Sequence, residues 1–358
     1  MKNILYKIKT SNQNVNNELL VSFVVCNPKG EKPNIIVGFR NGIIKLFNFR
    51  ANGTLKLTKI LTEHTESINY ISFNPINPNI FSSCSKDKSL ILWNFMNNEI
   101  QFEKLIFHSE SDSVIFSNDG SLLCCFYNND LLQNGTIILY NINIIDNSNN
   151  PNNKRISISF ASTYTKNNNE CCSICFHPNN KLLFIGTATL LIILNINDDH
   201  TITEQSIYGC NYCLSTSCNI FGDLFIFTDI DNFMNIIDTR NEKIKLYRNK
   251  QELQKYFLPQ SKPIILFHPR NPYLLAAYDD NNIIILDISS SKIKCICKYD
   301  YPNKITCISF NFLGNSIVFS SENKLVILEI DFNVVNNNRL KRRPKTMRML
   351  GNIAISAH

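Results

Sequence analysis

Seven times along this chain a short apolar run ends on a large apolar residue: Phe47, Trp93, Tyr140, Leu194, Ile237, Leu286 and Leu328. The intervals are 46, 47, 54, 43, 49 and 42 residues. Repeats of about 40–45 residues are the spacing of small sheet units that stack side by side. Six residues before these positions stand Asn41, Asp87, Asn134, Ala188, Asp231, Asp280 and Glu322, all but Ala188 being Asn or acidic. Such side chains bond their own backbone in tight turns. A second mark recurs in phase. Phe73-Asn74-Pro75, Phe176-His177-Pro178 and Phe267-His268-Pro269 each close a first strand, with Phe310-Asn311 and Phe116-Ser117-Asn118 as degenerate copies. The Phe points inward, while Pro fixes φ and withdraws a strand donor, which suits the turn.

The clearest unit runs from His64 to Trp93, HTESINYISFNPINPNIFSSCSKDKSLILWN. It reads as an alternating strand (Ile68, Tyr70, Ser72), a second strand reaching Ser83, a turn at Lys86-Asp87 and a third strand, Ser89 to Leu92, before the chain's single Trp. Alternation between turn signals points to an antiparallel meander. One meander has two open edges and only part of a core, so it needs copies of itself beside it.

This unit resembles the WD-repeat β-propeller family, in which His64, Ser83, Asp87 and Trp93 would form the hydrogen-bonded tetrad that staples a blade. The other blades depart from that pattern. Val37, Phe184, Phe227, Ala276 and Val318 sit where Ser83 sits, so those blades must hold by apolar packing. The resemblance implies an all-β, seven-bladed propeller over residues 1–332. Ile4 to Ile8 would close the ring as its last outer strand, and residues 333–358 would be an Asn-rich, then basic, disordered tail. Residues 143–170 read as an extended loop around blade three, and 241–260 as a strand plus a short helical piece.

Charge and composition narrow the function. The net charge is +7, of which Arg339, Lys341, Arg342, Arg343, Lys345 and Arg348 supply six with no acid among them. The body is close to neutral and the tail is basic. No run approaches the roughly 18 apolar residues of a membrane span, and the first residues lack a signal peptide's apolar core. The expected setting is nuclear, with the cytoplasm as the alternative, where thiols stay reduced. The 13 Cys then read as free core thiols rather than a disulfide framework.

Cys172-x-x-Cys175 and Cys210-x-x-Cys213 have ligand-like spacing, but on a strand positions three apart face opposite sides, so buried hydrophobes fit better than a metal site. His177 and His268 share one repeat position and read as turn residues. No phosphate-cradling Gly loop is present. The expectation is no catalytic residue, no cofactor, no metal and no small-molecule substrate, with a hydrolase as the rival that would need a polar cluster converging in a pocket.

The function implied is a non-catalytic protein-interaction scaffold in a multiprotein complex handling chromatin, RNA processing or ribosome assembly. Its partners would be other proteins or peptides, not membranes. Contact positions would precede the turn residues: Arg40, Lys86, Gln133, Ile230, Asp279 and Ser321. The segment LKRRPK, with Lys341, Arg342, Arg343 and Lys345, reads as a nuclear-import signal or a nucleic-acid contact. Ile237-Asp238-Thr239-Arg240 resembles the Trp-Asp-x-Arg motif of propellers that serve cullin-type ubiquitin ligases as substrate receptors, with Ile in place of Trp; Asp238 and Arg240 would then dock the adaptor. Within the family, Ile36 to Trp93 is similar to the opening blades of the polycomb embryonic ectoderm development proteins, through Gly42-Ile43-Ile44, the Ile68 strand and Pro78-Asn79 before Ser85-Lys86-Asp87. That would imply a histone-peptide reader, but Leu61 stands where its methyl-lysine cage would need an aromatic.

Overall fold

The computed structural model describes residues 20–30, 35–49, 55–96, 99–129, 134–145, 155–231, 234–239, 245–249, 257, 261–290, 293–322, 324–330 and 348–354. These form seven four-stranded antiparallel sheets, and no helix occurs among the described residues. The protein is a seven-bladed β-propeller. In each blade the inner strand a is followed by b, c and the outer strand d, each pairing with the next in the chain. The inner strands are Val21–Cys26, Ile68–Phe73, Ser111–Phe116, Cys171–Phe176, Cys213–Cys218, Ile264–Phe267 and Cys307–Phe310.

Sequence pattern sorts the strands by depth. Strands b are apolar on both faces, as in IIVGF (Ile35–Phe39), LFIFTD (Leu224–Asp229) and LLAAY (Leu274–Tyr278), and are buried throughout. A strand covered on both sides carries a continuous apolar run. The outer strand ITEQSIYG (Ile202–Gly209) keeps polar residues facing solvent, and none of it is fully buried. Seven apolar clusters result, each shared by two neighbouring blades. The cluster that joins blade seven to blade one packs Cys307, Val318, Leu325 and Ile327 against Val21, Val24, Cys26 and Val37.

The residues that set the repeat, Phe47, Trp93, Tyr140, Leu194, Ile237, Leu286 and Leu328, all fall in strands c. At five of them, Phe47, Tyr140, Leu194, Leu286 and Leu328, the pairing with strand d shifts register through a β-bulge. An extra residue there bends and twists the outer strand.

Two expectations are corrected. The outer strand of blade seven is Arg348–Ala354, paired antiparallel with Lys324–Glu329, so a C-terminal segment fills the edge assigned above to Ile4–Ile8, which lies outside the described residues. The two blades at the seam meet through side chains and backbone, the Cys26 N–H donating to Ser309 Oγ at 3.0 Å and the Val21 N–H to Glu322 O at 2.9 Å. Residues 331–347, between those two strands in sequence, lie outside the described residues. Second, most of 143–170 is strand: Asn134–Ile145 and Arg155–Lys166 pair as a hairpin of two 12-residue strands. It reaches back over blade two, where the Ile158 N–H donates to Glu103 Oε2 at 3.0 Å and Ile142 and Ile156 join that blade's core. The Ile, Phe, Thr and Tyr of RISISFASTYTK favour strands, and the Asn run hid this. Within 241–260 the expected strand is present as Lys245–Asn249, and the expected helical piece lies outside the described residues, apart from the buried Phe257.

Ending the chain at residue 340 should strip the partner from Lys324–Glu329 and expose a sheet edge. The expected result is a melting temperature several degrees below the full chain, with higher-order species in size-exclusion chromatography; an unchanged melt and profile would show that this strand does not close the blade.

Candidate interaction surface

The four residues of the blade-two staple meet as a relay. Trp93 Nε1–H donates to Ser83 Oγ at 2.8 Å, and Ser83 Oγ lies 2.8 Å from His64 Nε2. His64 Nδ1 lies 2.9 Å from Asp87 Oδ2. With Trp93 as a fixed donor, the relay is satisfied if Ser83 donates to Nε2 and Nδ1–H donates to the carboxylate. Asp87 also accepts from the Thr65 N–H (3.1 Å), the Ser89 N–H (3.0 Å) and Ser89 Oγ (2.6 Å). Trp93 stacks on Phe81 at 5.7 Å between centroids. Burial lowers the His64 pKa, offset in part by the Asp87 hydrogen bond and charge. Burial alone would raise the Asp87 carboxyl, but the hydrogen bonds from Ser89, His64 and Thr65 outweigh it and bring the pKa down to about 2.

Serine, imidazole and carboxylate in this order are also the constellation of hydrolytic triads. Here Ser83 is 0% exposed and Trp93 at 0% covers it, so no substrate carbonyl reaches Oγ. The relay is a staple between the crossover into blade two and its b–c turn.

The same pairing of crossover and turn builds one whole rim. The Lys86 N–H donates to Ser67 O, Ala188 to Glu170 O, Ile230 to Asn211 O and Ile305 to Asp280 O. On this rim Arg40 and Lys86 are exposed, and Ile230 is 39% exposed. Lys86 reaches Glu110 of blade three at 4.0 Å. Two predicted contact positions are corrected. Asp279 is 7% exposed and Ser321 0%. Asp279 Oδ1 accepts from the N–H groups of Asn281 (3.0 Å) and Asn282 (2.8 Å), so it shapes the turn from within, and Ser321 ends a strand b inside the blade. Gln133, Arg240, Lys341, Arg342, Arg343 and Lys345 lie outside the described residues. Asp238 is half-buried at the end of strand Met234–Asp238, on the opposite rim.

That opposite rim, made by the a–b turns, carries contacts that the sequence reading missed. His177 accepts the Asn179 N–H on Nδ1 (3.1 Å) and donates from Nε2 to Gly222 O of the next blade (2.8 Å). His268 accepts the Arg270 and Asn271 N–H groups on Nδ1 (3.1 and 2.9 Å) and bonds the Gly314 backbone with its other nitrogen; burial, then the Arg270 charge, hold its pKa low. Asn74 does the same work in blade two, taking the Ile76 and Asn77 N–H groups on Oδ1 and donating to Gly120 O at 2.8 Å. The three glycines have φ of +70° to +77°, which glycine alone adopts freely, and a methyl group on any of them would collide with the clasping ring or amide. The readable signal was a Gly three residues after the turn's first residue: Asn27/Gly30, Ser117/Gly120, Asn219/Gly222 and Asn311/Gly314.

Through the middle of the ring runs a channel of about 690 Å³ lined by all seven inner strands. Cys172 and Cys175 both line it, against the expectation of opposite faces, because a bulge at Cys172 inserts one residue. Burial pushes their thiols up to about 11 and about 12.

The fold is shared with the β-propeller domain of Cps50 (Swd1) from Myceliophteria thermophila: TM-score 0.63 at 11% identity, covering 85% of this chain and 94% of that one. The family described as WD domain, G-beta repeat matches residues 55–94, the segment holding the staple. Residues 55–94 thus match a WD repeat, within a chain that folds as a seven-bladed β-propeller. Such propellers are in general protein-interaction scaffolds rather than catalysts. The chain is also 40% identical over 62 residues to the Polycomb group protein FIE2 of Zea mays. That match spans 17% of this chain and 16% of the relative, so it speaks for one or two blades only.

Two outcomes test the staple and the clasps. Trp93→Ala should cost about 3–5 kcal/mol as a buried large-to-small change, read by urea unfolding, and Gly314→Ala about 1–3 kcal/mol through its left-handed φ and the crowded His268 ring. The depressed carboxyl of Asp87 contributes stability that is full above its ordinary 3.8 and is lost as pH falls toward about 2. The depressed His64 contributes stability that is full above 6.5 and is lost below it. In Asp87→Asn the acid decline between about pH 4 and pH 2 should flatten relative to the parent; identical slopes would remove Asp87 from the staple.

Proposed function

We propose that this protein is a non-catalytic docking platform within a nuclear multiprotein complex, contacting partners through the rim of b–c turns and crossovers. One observation carries the reading: on that rim the backbone is locked by turn-to-crossover hydrogen bonds, while Arg40, Lys86 and Ile230 stay exposed. Rigid loops that hold polar and apolar groups outward are suited to binding at low ordering cost. The catalytic-looking polar cluster, by contrast, is sealed. A nuclear setting is supported by the basic run Lys341–Lys345 and by the short likeness to a Polycomb group protein, and a chromatin-handling complex is the setting that likeness favours.

The test is affinity purification of the tagged full chain with mass spectrometry, beside the triple variant Arg40→Glu, Lys86→Glu, Ile230→Asp. Specific partners should fall at least tenfold in the variant with its melting temperature unchanged. Equal recovery from both chains would sink the assignment of this rim. Replacing Lys341, Arg342, Arg343 and Lys345 by Ala should lower the nuclear-to-cytoplasmic ratio of a fluorescent fusion.

A further inference from the structure

The a–b turns of blades six, seven, one and two form one contiguous patch. Arg270 Nε donates to Phe312 O at 3.1 Å, and its guanidinium lies 4.2 Å from the centre of the Phe312 ring. That ring packs on Gly30 of blade one, and Lys29 Nζ donates to Ile76 O of blade two. Each tip is held from within its own turn. Asn27 Oδ1 accepts the Lys29 N–H at 2.9 Å, Asn74 Oδ1 the Ile76 N–H at 3.0 Å and His268 Nδ1 the Arg270 N–H at 3.1 Å. In blade seven the Gly314 N–H donates to Asn311 O across Leu313.

The patch is cationic and apolar together. Ile76 is 54% and Leu313 51% exposed, and Lys29 and Arg270 are exposed beside them. The carbonyls that hold the two cations do not neutralise them. The described residues of these four turns include no Asp or Glu, whereas the same turns of blades three and five carry Asp119 and Asp223. The chain adds more positive charge at this rim. Strand c of blade seven ends beside Asn315, whose carbonyl accepts the Ile330 N–H at 2.8 Å, and strand d begins at Arg348, paired with Glu329. Between these two points the sequence carries Arg339, Lys341, Arg342, Arg343 and Lys345 against one acid, Asp331.

We infer that this patch seats the propeller reversibly on an anionic lipid bilayer, with Ile76 and Leu313 entering the acyl boundary and Lys29 and Arg270 facing lipid phosphates. Aliphatic tips that stand proud of a rigid rim find burial in a bilayer without a pocket shaped to receive them. A protein surface would need two hollows at the spacing of the tips. Nucleic acid would satisfy the cations but offers the aliphatic side chains no burial. Lys and Arg suit the headgroup layer, where their stems lie against apolar groups and their charges meet phosphate. Apolar insertion or a basic cluster alone anchors weakly, and the two together hold. The lack of a spanning run does not bear on this contact, because a peripheral protein needs none. The inference goes beyond the docking reading, and it leaves the b–c rim facing away from lipid and open to protein partners.

Sucrose-loaded vesicles of phosphatidylcholine, with and without phosphatidylserine, would be sedimented with the full chain. Phosphatidylserine should raise the bound fraction about tenfold, and added salt should lower it. Ile76→Ser combined with Leu313→Ser, and separately Lys29→Glu, should each cut binding about fivefold with an unchanged melt. Equal binding to neutral vesicles, or parental binding by either variant, would overturn the inference. So would binding lost only when Lys341, Arg342, Arg343 and Lys345 become Ala, which would make the contact a general polybasic one. No vesicle binding by the parent, with protein partners lost from the Ile76, Leu313 variant, would give the patch to a protein and also overturn it. The Arg40, Lys86, Ile230 variant should bind vesicles like the parent, so the rim reading stands or falls separately.

Discussion

No blade of this propeller owns a core. Each of the seven apolar clusters lies between two neighbours, so every strand b is covered on one face by the blade before and on the other by the blade after. Burial of such strands is the dominant favourable term, and it exists only in the assembled ring. That explains why a single blade suffices to carry the full staple. Val37, Phe184, Phe227, Ala276 and Val318 occupy the Ser83 position and are all buried at 0–1% exposure. Where a blade lacks the polar relay, its neighbours supply the equivalent stabilisation through contact area.

The relay in blade two shows how weakly a constellation alone specifies function. Ser83, His64 and Asp87 have hydrogen-bond distances suited to proton transfer, yet the serine oxygen already holds the indole N–H and faces no solvent. The exposed chemistry lies elsewhere, on the turns. There the useful groups are single residues, each aimed by backbone geometry.

Much of the fold was legible because its period is long and its marks are chemical. The seven strand-ending residues and the acidic or amide turns are visible without any structure, and the staple was read whole from His64 to Trp93. What escaped was whatever depended on one inserted residue or on partners distant in sequence. The alternation argument for Cys172 and Cys175 assumed a regular strand, and one bulge put both thiols in the channel. Asp279 and Ser321 precede turns just as Lys86 does, but their side chains turn inward, a rotation that no spacing reveals. The closing strand was sought at the wrong end because RMLGNIA follows a basic run and carries a central Gly, so it lacks the apolar density of its siblings. The long hairpin was masked by the Asn-rich segment inside it.

The a–b turns come in two kinds that alternate around the rim. Blades two, four and six present a reaching side chain, Asn74, His177 or His268, and the blades after them present a left-handed glycine to receive it, Gly120, Gly222 or Gly314. A pattern of period two cannot tile a ring with an odd number of sectors. Somewhere two turns of the same kind must be neighbours, and they are: Gly314 in blade seven is followed by Gly30 in blade one, where the Phe312 ring lies against the glycine instead. Arithmetic therefore puts the ring's one mismatched joint where the first and last blades of the chain meet.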